Sequence, residues 1–233
     1  MKITWYGHSC FKVETGTSSI LMDPFLTGNS TFEALGKSVD EVAAGVTHLA
    51  LTHGHDDHIG DTLAICKQSG AKLIANYEIA MYLGAQGLEN VSPMNPGGTV
   101  AHTDFNISLV NAVHSSSTIV DGSPVYLGAA CGVVISTKEM KTIYHMGDTD
   151  IFSDMALIEE LYSPDIGIVP IGDRFTMGAR SAALACKKFF NFKTVIPCHY
   201  GTFPIIDPDA GKFVAEMEGE NVIVPDAGEV LSA

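Results

Sequence analysis

The chain has 233 residues, 46% hydrophobic and only 17% charged, so it can build a sizeable core and has little to spare for solvated tails. Its 13 basic residues stand against 27 acidic ones, a net charge of −14 with the histidines neutral, which makes binding of large nucleic acids through clustered Lys and Arg unexpected. No apolar run approaches the roughly 20 residues of a membrane span, and the start lacks the apolar core of a signal peptide, so no membrane association is expected.

Short alternating or apolar runs predict strands over residues 2–6, 10–14 and 19–22. Residues 27–45 have no clean period and predict a loop with a short helical piece. A strand is expected over 46–52, a helix over 59–69 closed by Gly70, a strand over 72–75 and a helix over 77–86 closed by Gly87. Strands follow over 99–102 and 106–113, then one long or two short strands over 125–137, then a strand over 142–146. A helix over 151–162 stops before Pro164. A strand over 166–171, a helix over 179–190, a strand over 193–198, a helix over 209–217 and short strands complete the chain. Each half is strand-rich and then picks up βα units. That order fits one α/β domain over 1–233, with two sheets face to face and helices outside, better than one doubly wound sheet.

Five cysteines at 10, 66, 131, 186 and 198 form no Cys-x-x-Cys pair and read as buried free thiols of a cytoplasmic protein. The low charged fraction leads us to expect a homo-oligomer.

The most informative stretch is His53-Gly54-His55-Asp56-Asp57-His58, three imidazoles and two carboxylates at the end of the 46–52 strand. His114 ends the 106–113 strand, Asp148 follows 142–146 through Gly147, and His199 ends 193–198. Each of these later residues taken alone reads equally well as an incidental one. Together they place metal-ligating side chains at the carboxyl ends of four strands, where α/β sheets carry their ligand sites. His53, His55, Asp57, His58, His114, Asp148 and His199 are too many for one tetrahedral zinc, which takes four ligands. They suit two divalent ions sharing a carboxylate and a bridging hydroxide. Zinc is the first expectation, with Mn, Fe, Co and Ni as alternatives that His and Asp also accept.

These motifs resemble the metallo-β-lactamase superfamily over essentially the whole chain. Gly7-His8-Ser9-Cys10-Phe11, Met22-Asp23-Pro24-Phe25, Ile171-Gly172, Phe175-Thr176-Met177-Gly178 and His199-Tyr200-Gly201-Thr202 are similar to one branch of it. That branch holds small metal-dependent hydrolases and the ascorbate-6-phosphate lactonases. The resemblance implies a four-layer αββα sandwich with the site at one edge. It implies His53, His55 and His114 around one metal, Asp57, His58 and His199 around the other, and Asp148 between them. It also implies that His8 stands near the metals as a substrate contact or proton donor. Flavodiiron oxidases of the same fold typically carry Glu at the position of His55, which favours hydrolysis here over redox work.

Outside this set, Asp23 reads as a carboxylate that orients a ligand histidine or a loop. His48, His102 and His145 read as structural, and alternation turns Cys198 into the core, away from His199. The chain has only two arginines, Arg174 and Arg180, flanking a loop after another site-facing strand. They are candidates to bind an anionic substrate, or else two solvent-facing residues. The function expected is hydrolysis of a small, anionic or neutral, ester, lactone or phosphoester by a metal-bridging hydroxide, with Asp57, His8 and Asp148 acting in catalysis. A phosphodiesterase or nuclease of the same fold and a non-catalytic metal-binding domain are the alternatives.

Overall fold

A computed structural model describes residues 1–232. The first half runs β1 (Lys2–Trp5), β2 (Phe11–Thr15), β3 (Ser18–Met22), α1 (Ser30–Glu33), α2 (Val39–Ala43), β4 (His48–Ala50), α3 (Asp56–Ile59), α4 (Thr62–Ser69), β5 (Lys72–Asn76), α5 (Tyr77–Ala85) and β6 (Val91–Met94). The second half runs β7 (Thr99–Ala101), β8 (Phe105–Asn111), β9 (Ser117–Val120), β10 (Ser123–Tyr126), β11 (Cys131–Thr137), β12 (Thr142–His145), α6 (Met155–Tyr162), β13 (Ile166–Pro170), α7 (Ala179–Phe189), β14 (Thr194–Cys198), α8 (Gly211–Glu216) and β15 (Val230–Ser232).

Two sheets form, in the orders β15-β1-β2-β3-β4-β5-β6 and β14-β13-β12-β11-β8-β7. In the first, β3 to β6 run parallel. In the second, β12 to β14 run parallel, while β11 is antiparallel to both β8 and β12. Period-2 alternation assigns the faces. Ile20, Met22, Ala50 and Ile74 pack with Phe105, Ile107, Leu109, Val133 and Ile135 of the other sheet. Their neighbours Leu21, Leu49, Leu73 and Ala75 turn the other way, onto Phe32, Val42, Ile65 and Ile79. On the far side Tyr144 meets Phe190 at 5.6 Å. Helix, sheet, sheet and helix therefore stack as four layers, an αββα sandwich. Strands buried on both faces read as unbroken apolar runs, and each fully buried Leu, Ile or Phe contributes about 1.5–3 kcal/mol.

The structure departs from the sequence expectation at a few places. The 59–69 helix divides into α3 and α4 at Gly60 (φ 41°), where an added Cβ would lie 2.4 Å from the Pro24 carbonyl oxygen. Asp61 then holds the incoming loop by accepting from Leu26 N, Thr27 N and Thr27 Oγ1. The 27–45 segment carries two short helices, one capped by Asn29 and one by a Ser38–Glu41 capping box. The 125–137 stretch splits because β10 leaves the sheet to pair with β9 in a separate hairpin. Strand β6 escapes a sequence search because Pro93 interrupts it; as an edge strand it tolerates proline. Among the described residues no helix is long and apolar enough to cross a membrane.

Candidate metal centre

Strand β4 ends at Ala50, and two residues later Thr52 is caught by Asp23. The Thr52 backbone N–H donates to Asp23 Oδ1 at 2.9 Å and its hydroxyl to Oδ2 at 2.7 Å. His53 then enters the site, and α3 begins with His55 at its N-cap position. Asp56 and Asp57 in its first turn complement the helix dipole. His114 is fixed from behind, because Val113 N–H donates to Thr149 Oγ1 at 3.0 Å. Asp148 leaves β12 through Gly147 (φ 65°), where a Cβ would lie 2.6 Å from the Cys131 carbonyl oxygen. His199 leaves β14 with φ 58° and donates its backbone N–H to His8 O at 3.1 Å. His8 (φ 52°) and Asp23 (φ 43°) share that left-handed conformation. For a non-glycine residue it costs about 1–3 kcal/mol, so three strained residues converge on one place.

All seven predicted side chains come together there. His53, His55 and His114 converge as one group, His53, His58 and Asp148 as a second, and Asp57, His58, His199 and His8 as a third, with ligand atoms within 4.8 Å in each. Asp148 Oδ2 stands at the centre. It is 3.0 Å from His199 Nε2, 3.4 Å from His58 Nε2, 3.6 Å from His114 Nε2 and 3.9 Å from His53 Nε2. His53 Nε2 and His55 Nδ1 are 3.0 Å apart.

The hydrogen bonds behind the rings fix their tautomers. His58 Nδ1 donates to Asp23 Oδ2 at 2.7 Å, so Nε2 is the nitrogen left to bind metal, once its proton is displaced. Thr52 gives its proton to Asp23 and accepts from His53 Nδ1 at 3.0 Å, which frees His53 Nε2 in the same way. Burial works against charge on Asp148, yet His199 and His58 hold its carboxyl well below the usual range. Burial likewise opposes a charged His58, but Asp148 and Asp23 on either side raise it well above the ordinary imidazole value. His58 Nε2 and Asp148 Oδ1 are buried and lack any hydrogen-bond partner. Orphaned buried polar atoms are costly, and a cation that displaces the Nε2 proton and sits between imidazole nitrogens and carboxylate oxygens satisfies them. The donor set therefore fits divalent metal.

Residues 2–199 match the family described as beta-lactamase superfamily domain. A UPF0173 metal-dependent hydrolase of Chelativorans sp. is 58% identical over 98% of both chains. The chain belongs to the metallo-β-lactamase superfamily. Within that superfamily it falls in the family of metal-dependent hydrolases to which this relative and a 55% identical one of Brucella anthropi belong. Igni18, a metallo hydrolase of the archaeon Ignicoccus hospitalis, superposes with a TM-score of 0.87 at 33% identity, covering 99% of this chain and 97% of its own. An isothiocyanate hydrolase from Delia radicum gut bacteria, 19% identical with a TM-score of 0.77 over 100% and 99% of the chains, shares the fold.

Other residues on this superfamily scaffold sort as follows. His8 is fully buried beside the cluster, its Nε2 3.1 Å from Asp57 Oδ2 and its Nδ1 3.1 Å from Thr202 Oγ1. Burial and the neighbouring His199 push it down to about 4, so it is neutral at pH 7 and donates from Nε2. Asp23 sits behind His58, as expected of an orienting carboxylate. His145 is structural: Nε2 donates to Ser9 O and Nδ1 accepts from Gly147 N–H, both at 3.0 Å. His48 and His102 pack on each other and on Phe105, away from the cluster. Cys198 is fully buried. Arg174 and Arg180 are exposed, and among the described residues neither guanidinium hydrogen-bonds or ion-pairs with the cluster. The sequence reading misses the hydroxyls that brace the site. Ser115 lies 3.1 Å from His55 Nε2, Ser116 accepts from Gly54 N–H at 3.0 Å, and Thr118 bonds Asp56. Their one signal is a Ser-Ser-Ser run directly after His114.

Proposed function

We propose that the chain hydrolyses a small ester, lactone or phosphoester at a centre for two divalent cations. His53, His55 and His114 would hold one, Asp57, His58 and His199 the other, and Asp148 both. The observation that carries this reading is Asp148 Oδ2, within 3.9 Å of imidazole nitrogens from both groups. Bound cations would supply Lewis acidity and lower the pKa of a water to near neutrality. The imidazole-rich donor set supports zinc, with Mn, Fe, Co and Ni as competitors.

The chain's own residues do the remainder. Asp23 and Thr52 hold the Nδ1 protons of His58 and His53, which leaves Nε2 of each as the nitrogen that would bind metal. Asp57 accepts from His8, and so holds a neutral imidazole with its proton on Nε2 at the edge of the cluster. His8 is the residue we assign to substrate contact at this edge. Five free buried cysteines support a reducing compartment such as the cytoplasm.

The test is metal stoichiometry with a substrate screen. After reconstitution and removal of free metal, two equivalents per chain are expected. Asp148→Ala should lower both and abolish turnover, while His199→Ala should lower one. Turnover is sought among lactones, phosphodiesters, esters and amides. A firm stoichiometry of one, or full activity in Asp148→Ala, would refute the proposal.

A further inference from the structure

Phe25 and Phe203 are large apolar side chains that belong to neither of the two core clusters. They stack on each other with ring centroids 6.0 Å apart and planes inclined by 24°. Both also meet His8 edge to face, at 5.7 Å and 5.4 Å. The His8 ring lies 4.0 Å from that of His199, and its Nε2 3.1 Å from Asp57. Two aromatic rings thus stand one side chain away from the cluster. Each is half-buried, so part of its surface meets solvent rather than protein.

Their backbones are clamped. Phe25 N–H donates to Asp23 O at 2.8 Å, and Asn29 Nδ2 donates to Phe25 O at 3.0 Å. Gly60 presses so close that a Cβ there would lie 2.6 Å from Phe25 Cα. Phe203 follows Thr202, which bonds His8 through its hydroxyl and accepts from Ser30 Oγ at its carbonyl. The residues that hold His8 and the loop behind the cluster therefore also hold these rings. Rigid apolar surface beside convergent polar groups is how a small-molecule site grips and orients its ligand.

We propose that Phe25 and Phe203 form the apolar subsite of this centre, and that the preferred substrate carries a flat, aryl-like group next to the hydrolysed bond. This rests on the two-metal reading above. Two ring contacts give a preference of about 5- to 150-fold for an aryl over a methyl group.

Acetohydroxamate and benzohydroxamate present the same chelating head and differ in that one group. Both would be titrated by calorimetry into zinc-loaded wild type, Phe25→Leu, Phe203→Leu and the double variant. Leucine keeps apolar volume and removes the ring, and thermal unfolding verifies the fold. Wild type should bind benzohydroxamate at least about 5-fold tighter. In the double variant that ratio should fall by about threefold or more, with acetohydroxamate affinity unchanged. A readout free of metal is the contact of benzyl alcohol with stripped protein, observed by ligand NMR and lost in the double variant. An unchanged hydroxamate ratio, or a benzyl alcohol signal indifferent to the substitutions, overturns the subsite alone. Failure of both hydroxamates to bind wild type overturns the metal-centre reading on which the proposal rests, and the benzyl alcohol contact then decides the apolar subsite by itself.

Discussion

Replacing Asp23 by asparagine exchanges one carboxylate oxygen for an amide NH2, and the structure says which oxygen is lost. Asp23 Oδ1 accepts from the Thr52 backbone N–H, a donor that cannot reverse. The introduced NH2 must therefore take the place of Oδ2. There it faces the Thr52 hydroxyl, which can rotate to accept, and His58 Nδ1, which cannot keep its proton opposite another donor. The His58 proton is driven to Nε2, the atom turned toward Asp148. A hydrogen bond to a charged group contributes about 1.5–3 kcal/mol, and loss of a carboxylate behind a ligand histidine lowers metal affinity about 10- to 100-fold. At about 1.4 kcal/mol per tenfold the two figures agree. Zinc titration against a chromophoric chelator should show the second equivalent weakened by that factor in Asp23→Asn. The first equivalent, assigned by the two-metal proposal to His53, His55 and His114, is reached from Asp23 only through the Thr52 hydroxyl and should weaken less than the second. Wild-type affinity for both equivalents would refute the tautomer argument.

Further outcomes can be checked independently. Gly60→Ala meets both a left-handed backbone and the Pro24 carbonyl at 2.4 Å, so it should destabilise the protein by about 1–3 kcal/mol, read by chemical denaturation. His145→Leu strands two buried partners, Ser9 O and Gly147 N–H, at about 1–3 kcal/mol each, which for a chain of this size lowers Tm by roughly 2–4 °C per kcal/mol. Asp104 accepts from Ser18 Oγ and from Thr17 Oγ1 and N–H, bonds that hold its pKa below the usual 3.8. A depressed folded-state pKa gives stability that is present above the unfolded value and lost as pH falls through the folded one. The Tm gap between wild type and Asp104→Asn should therefore be full above about pH 5 and shrink below pH 4; a gap constant from pH 7 to pH 3 would contradict it.

The sandwich is legible in the sequence because its strands are buried on both faces. Runs such as Leu49-Ala50-Leu51 and Ile166 to Ile171 show apolar character without a competing helical period. The cluster is legible because its ligand residues fall at strand ends, where one residue's direction is fixed by the strand before it. The division at Gly60 is invisible locally, since its cause is Pro24, 36 positions earlier. The bracing by Thr52 and Thr202 is hidden for a different reason. A threonine in the turn after a strand is equally ordinary whether or not its hydroxyl orients a histidine. Phe25 and Phe203 look like ordinary core residues until the packing shows that neither core includes them.

His53, His55, Asp57 and His58 follow a strand of the first sheet, while His114, Asp148 and His199 follow strands of the second. Neither half can assemble the cluster by itself. Metal capture is then an event of the finished tertiary structure, and an unfolded or half-docked chain offers only fragments of the ligand set. Such selective affinity for the native state is a thermodynamic fastener between the halves: at a free metal concentration 1,000 times Kd it adds about 4.1 kcal/mol per site. Chelation should accordingly speed hydrogen exchange along both sheets together, at amides far from any ligand, because what it releases is the joint and not one loop.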